Sequence, residues 1–170
     1  MIKKPEHCFK KAAAAFSMFV DDGRPGVNNW QDGYLAGFKD SVLKEIENHV
    51  REAQPYQCAC CPTGCVESYG KAGLRQNVWE SMAPLGSQCG ITDVGLVQKA
   101  YDLCNRNGID SISAGGVISF ARECFAQGLI NERDTDGIQL TFGNGTAMFS
   151  MLEKICMREG FGGIGAEGTR

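Results

Sequence analysis

The sequence has almost no histidine, no surplus of basic charge and no long apolar run, and each lack closes off a class of protein. Its two histidines, His7 and His49, stand far apart, and neither falls within the cysteine-rich stretch 58–65. The knuckle-plus-histidine spacing of a structural zinc site is therefore missing. Lysine and arginine number 17 against 20 acidic residues, a net charge of −3, which is not the basic face expected of a nucleic-acid-binding protein. No stretch approaches the roughly 20 consecutive apolar residues that a membrane-crossing helix needs. The lysine-rich start lacks an apolar core followed by a small-residue cleavage site, so it does not read as a secretory signal.

Cysteine is what the chain has in quantity. Nine cysteines, an odd number with no export signal, argue against a disulfide framework and for free thiols in a reducing cytoplasm. Cys58, Cys60, Cys61 and Cys65 are crowded together, and Cys58, Cys61 and Cys65 have the spacing C-x₂-C-x₃-C. Pro62 and Gly64 supply the fixed and the permissive backbone dihedrals that so tight a loop needs. Thiolates are soft ligands suited to iron–sulfur clusters, zinc or copper. A [4Fe–4S] cluster takes four ligands, so three local cysteines leave one to come from elsewhere.

Around this loop the periodicity is helical. With 43% apolar residues over 170 positions, the chain can build one core, with or without a loosely attached arm. Residues 6–20 read as a helix with Phe9, Phe16, Phe19 and Val20 apolar, ended by the polar and glycine-rich run 21–26. Residues 27–37 read as a loop anchored by Trp30 and Tyr34. A second helix, 39–53, carries Val42, Leu43, Ile46 and Val50 on one stripe and is stopped by Pro55. Residues 74–84 contain a short helical turn. Thr92 and Asp93 offer a cap to a helix bearing Leu96, Val97, Ala100, Tyr101 and Cys104, which ends at Gly108. A connection over 109–113 leads to a helix over 114–127.

Residues 131–137 read as a polar turn, and Asn144 caps a last helix over 145–159 with Ala147, Met148, Met151, Leu152 and Ile155 inward. The glycine-rich tail, 161–170, carries no closing element. No segment reads as a strand, and the expected fold class is all-α. Cys89, Cys104, Cys124 and Cys156 read as small buried apolar groups.

Several of these residues carry a family resemblance. Cys58, Cys61 and Cys65, then Trp79 and Glu80, Gly86 to Ile91, Asn105 to Gly115, and Phe142 to Asn144 occur in the order and spacing of the tungsten-containing aldehyde ferredoxin oxidoreductases. Residues 57–170 resemble the helical middle domain of that family, and residues 1–56 form a poorly matched arm with two helices. The resemblance implies a tungsten (or molybdenum) bis-pterin beside a [4Fe–4S] cluster, with Cys58, Cys61 and Cys65 as metal ligands and Cys60 a bystander. It places a pterin-binding motif on Asn105, Gly108, Ile109 and Asp110, with Asn105 standing where the family has Asp. It matches Glu80 to a glutamate near the metal, a candidate general base.

Read from the residues alone, two blander roles stay open. Glu80 also fits a solvated helix residue, and Asp110 fits a plain cap of the helix that follows. The family's enzymes are several times longer, with an N-terminal β-rich domain and a C-terminal helical domain that this chain lacks. The expectation is a fragment or a split subunit that needs those domains or partner subunits. The enzyme implied oxidises aldehydes to carboxylic acids and passes electrons to ferredoxin. The alternatives are a stand-alone iron–sulfur electron-transfer subunit, the aromatic acyl-CoA reductase branch of the same family, or an isolated domain that binds no metal.

Overall fold

Asp93, Asp110 and Asn144 each turn a side-chain oxygen onto the backbone amide three residues ahead, and each starts a helix there. The computed structural model describes residues 16–49, 54–56, 60, 66–69, 74–76 and 81–169. Its complete helices are α1 (Phe38–His49), α2 (Val94–Arg106), α3 (Ser111–Ala126), α4 (Gly145–Met157) and the short α5 (Phe161–Gly165). Residues 16–21 are helical as well.

The helices are held by the stripes their sequences announce. In α2, Val94, Val97, Ala100 and Cys104 are buried; in α4, Ala147, Met148, Met151, Leu152 and Ile155 are. These spacings put one face of each helix inward. α2, α3 and α4 pack against one another, α1 lies on α2, and α5 covers α3 and α4. Phe16 and Phe38 meet with ring centroids 5.8 Å apart, which joins the leading helical stretch to α1. Close approach of backbones depends on glycine at two points. A Cβ on Gly115 would lie 2.5 Å from the Pro84 carbonyl carbon, and one on Gly162 would lie 2.3 Å from that of Lys154.

The helical fold expected from the sequence is the one observed. Beside it stands a small antiparallel sheet that the sequence reading did not name, formed by β1 (Gln54–Tyr56), β2 (Val66–Tyr69) and β3 (Leu74–Gln76) in the order β1-β2-β3. Its strands are three, four and three residues long, too short for an alternating pattern to show. Leu74–Gln76, at the head of the stretch expected to contain a short helical turn, is a strand paired with Glu67–Tyr69. Only residues 81–82 of that region are helical among the described residues.

Three further expectations are corrected. Trp30 and Tyr34 do not anchor the 27–37 loop, being 64% and 73% exposed. The loop is held instead by Asn28 and Asn29, whose amides donate to the Ser87 and Gln88 carbonyls at 3.2 and 2.9 Å. Asn29 also donates through its side chain to Glu123 and accepts from Ser119 at 3.0 Å. α3 begins at Ser111, three positions earlier than its apolar stripe suggests, because the Asp110 cap sets the start and the first turn is largely polar. The glycine-rich tail is not featureless. It forms α5, docked by the Asp136 carboxylate, which accepts from the Phe161 amide at 2.9 Å and from Lys154 Nζ at 3.2 Å.

Candidate cofactor site

α2 ends at Arg106, and the chain must reverse before α3 can begin at Ser111. Gly108, at φ +66°, takes the left-handed conformation that closes a helix. The Ile109 amide then donates back to the Cys104 carbonyl at 2.9 Å. Asp110 accepts from the Ser113 amide at 2.7 Å and so opens α3. These bonds fix a rigid turn between two packed helices.

That turn walls an open cavity of about 420 Å³, lined also by residues of α3, α4 and the tail. Asn107, Ile109 and Asp110 come from the turn, Ser113 from α3, Cys156 from α4, and Arg158 from the reversal after it. A second hollow of about 480 Å³ continues from it, sharing Ser113, Val117 and Gly168, and is bounded at its far side by Asn29 and Phe120. Together they form a groove along the first half of α3.

The electrostatics of the wall are simple. Hydrogen bonds from the Ser113 side chain and backbone, outweighing partial burial, hold the Asp110 carboxyl below the usual carboxylate range, so it is a carboxylate at neutral pH. Arg158 is paired with Glu167. At and behind the wall the thiols are neutral. Burial, then the neighbouring Cys156 and Asp110, push Cys104 up to about 12; burial, then Glu153, raise Cys156. Protonated thiols of this kind pack as small apolar groups and are poor nucleophiles.

Of the residues expected at the site, Ile109 and Asp110 are brought together on the cavity wall. Asn105 and Gly108 are not on it. Asn105 is exposed on α2 and donates its side-chain amide to the Tyr101 carbonyl of its own helix at 2.9 Å. Asp110 fills the capping role that its sequence allowed and lines the cavity as well. Asn107, which sequence reasoning passed over, is on the wall. Nothing in its local sequence distinguishes it from Asn105; the signal lies in which way the last turn of α2 faces.

Cys58, Cys61, Cys65 and Glu80 lie outside the described residues. Their surroundings give one constraint: Tyr56 of β1 pairs with Val66 of β2, so the cysteine segment begins and ends at neighbouring points of one sheet. Cys60, between the expected ligands, is exposed in a turn at φ +63°. Among the described residues no three His, Cys, Asp or Glu side chains are grouped to hold a metal ion, and no helix is long and apolar enough to cross a membrane.

One deeper residue was also missed, beside Cys89, which is buried as the sequence reading expected. Arg122, fully buried in α3, donates through Nη2 to the Asn144 carbonyl at 2.6 Å and through Nη1 to that of Thr141. Its Nε has no hydrogen-bond partner among the described residues, and burial lowers its pKa. Beside it, burial pushes the Cys89 thiol up to about 11, against the opposing pull of the Arg122 charge. Arg122 thus ties the turn before α4 to α3, and it lies outside both hollows.

Chemically, the wall suits a pterin. Such a ring presents N–H donors along its amino-pyrimidinone edge, and the turn offers the carboxylate of Asp110 and the amide oxygen of Asn107 as acceptors. The cavity is in the size range of small-molecule sites.

Comparison with known proteins gives the following. The family model described as aldehyde ferredoxin oxidoreductase, domains 2 and 3, matches residues 12–170. The tungsten-containing aldehyde ferredoxin oxidoreductase of Pyrococcus furiosus is 30% identical, and that of Pyrococcus horikoshii 34%, each over 92% of this chain. A protein of Pyrococcus furiosus named aliphatic sulfonate oxidoreductase, WOR-like subunit, is 28% identical. The chain spans 26% of the length of each of these relatives. Among solved structures, the active-site complex BamBC of benzoyl coenzyme A reductase, in complex with 1,5-dienoyl-CoA, superposes with a TM-score of 0.64 at 24% identity. The superposition covers 85% of this chain and 22% of that one, and shows a shared fold.

Proposed function

The chain belongs to the aldehyde ferredoxin oxidoreductase family, and on that premise we propose that it is the cluster-bearing, pterin-contacting part of a tungsten or molybdenum bis-pterin oxidoreductase. The enzyme it serves oxidises an aldehyde and water to a carboxylic acid, releasing two protons and two electrons, the latter passed to ferredoxin. In this reading residues 57–170 are the working domain and residues 1–56 the arm leading into it. The observation that carries the proposal is the rigid 107–110 turn, whose oxygen acceptors line a cavity of about 420 Å³ in the segment matched to the family.

When bound, a tungsten or molybdenum bis-pterin would supply two-electron redox chemistry and a [4Fe–4S] cluster one-electron transfer. The residues of this chain have narrower tasks. Cys58, Cys61 and Cys65 hold three irons, and hydrogen bonds around their sulfurs tune the potential. Asp110 accepts from the pterin's N–H groups, with Gly108 and Ile109 shaping the turn, while Asn105 lies off the cavity wall with its side-chain amide donated to the Tyr101 carbonyl. Glu80, matched by the resemblance to a glutamate of that family, would serve as the base. The fourth cluster ligand comes from outside this set.

The test is elemental. Protein purified without oxygen is analysed for iron, sulfide, tungsten and molybdenum, and the pterin released by acid is measured by fluorescence. The expected result is about four irons per chain, the cluster stoichiometry, with tungsten or molybdenum and pterin. Iron and sulfide alone would replace the proposal with an electron-transfer subunit; no metal in any preparation, with or without companion subunits, would end it.

A further inference from the structure

Two glycines stand side by side in α3, and the fold accounts for only one of them. Gly115 is required by the backbone pressed against it, since a Cβ there would lie 2.5 Å from the Pro84 carbonyl carbon. Gly116 has nothing within 4 Å of where a Cβ would stand, and its φ is not of the left-handed kind that favours glycine. In a helix interior glycine is less favourable than alanine, so neither packing nor conformation calls for it at 116. What the missing side chain leaves is room, because Gly116 is part of the wall of the open hollow of about 480 Å³.

The rest of that wall is of one chemical kind. Val117 and Phe120 are apolar, and Phe120, one helical turn from Gly116, is 49% exposed. Ser113, Thr169 and Asn29 are polar and uncharged. Among the described residues no charged side chain lines the hollow. Asn29 is held at its far side by the fully buried Ser119 and by Glu123. It belongs to a run of three non-glycine residues at positive φ, Asn28, Asn29 and Trp30. L-residues take that conformation at a cost, and strain of this sort gathers at binding sites.

We propose that this hollow takes the uncharged organic group of the substrate, an aryl group by preference, with Gly116 as the specificity-determining position. Glycine lets a flat ring approach the α3 backbone closely, and the Phe120 ring offers it an aromatic partner. A phosphate or carboxylate on that group finds no cation on the wall and loses water without a partner. The hollow continues from the cavity bounded by Asp110, through Ser113, Val117 and Gly168, so its occupant lies next to the cofactor wall. The inference rests on the aldehyde oxidation proposed above and names which aldehydes are taken: neutral aryl aldehydes ahead of phosphorylated ones.

The experiment reads binding first, with the full chain and probes that do not react. Benzyl alcohol and phenyl phosphate are titrated by saturation-transfer NMR. The wild type should bind the alcohol and not the phosphate. Gly116→Leu fills the hollow and should weaken benzyl alcohol about tenfold, as overpacking does. Leucine is the better helix former, so this variant should lose the probe while melting no earlier than the wild type. If it melts early, Gly116→Ala carries the same two readings with one added methyl group.

In the enzyme assembled with its companion subunits, Gly116→Leu should shift the kcat/KM ratio of benzaldehyde to acetaldehyde about tenfold toward acetaldehyde. The site is overturned if the wild type does not bind benzyl alcohol, if it binds phenyl phosphate as well, or if the variants hold the alcohol as tightly as the wild type. A probe lost with the ratio unmoved overturns the assignment to substrate. No aldehyde oxidation at all counts against the proposed function, and the binding titrations then judge the hollow on their own.

Discussion

Gly115 and Gly116 sit side by side in α3, yet a methyl group added to each would have opposite effects. At Gly115 it would meet the Pro84 backbone at 2.5 Å, whereas at Gly116 nothing lies within 4 Å. Backbone cannot move aside as a flexible side chain can, so Gly115→Ala should cost about 1–3 kcal/mol through overpacking. Gly116→Ala should gain about 0.5–1 kcal/mol, the propensity difference in a helix interior. Urea unfolding of the two variants checks both signs, and equal effects would mean that α3 does not press on Pro84. Asp110 acts at the same scale. Its carboxyl is held below the usual range by Ser113, so its contribution is complete above the unfolded carboxylate pKa near 4 and is lost as pH falls through the lower folded value. Asp110→Ala should remove about 1 kcal/mol of capping at neutral pH and flatten the stability profile below about pH 4. A profile identical to the wild type's would show that the cap contributes nothing.

At the scale of elements, the caps were the most legible feature. Asp93 and Asn144 stand before strong apolar stripes, and both helices start where those signals place them. Where the stripe and the cap disagree, the cap wins: α3 opens at Asp110 although its buried side begins in earnest only with Ala114. The strands were illegible because three or four residues cannot display a period, and their pairing joins segments across the cysteine loop. The loop 27–37 misled for a different reason. Large aromatics suggest burial, but the turn that fixes this loop runs through Asn28, Asn29 and Trp30 with φ of +49°, +55° and +67°, and points the indole outward over Gly26. α5 is the clearest case of tertiary contact overriding composition. Its glycines are poor helix formers, and it depends on Asp136 and on the close seat of Gly162 against α4. Asp136→Ala should speed amide hydrogen exchange across residues 161–166 while leaving α2 unchanged. Unaltered exchange there would mean that Gly162 alone holds α5.

At the scale of the whole molecule, one helix connects the two halves of the proposed site. β3 packs on α2, and the turn that closes α2 walls the cavity, so the sheet flanking the cysteine segment and the candidate pterin contacts share a support. The family resemblance implies this pairing, and it also implies the division of labour among the cysteines, with Cys60 the bystander. That division is testable. Cys60 is exposed at φ +63°, in a conformation an L-residue tolerates poorly, and the C-x₂-C-x₃-C spacing does not need it. Cys61→Ser substitutes a hard hydroxyl for a soft thiolate and should abolish the cluster in the complete enzyme, read as loss of iron, sulfide and visible absorbance together. Cys60→Ser should leave all three at wild-type levels, as expected of a bystander. If both changes strip the cluster equally, the ligands are not those the spacing selects, and the segment between Tyr56 and Val66 coordinates its metal through a different set of sulfurs.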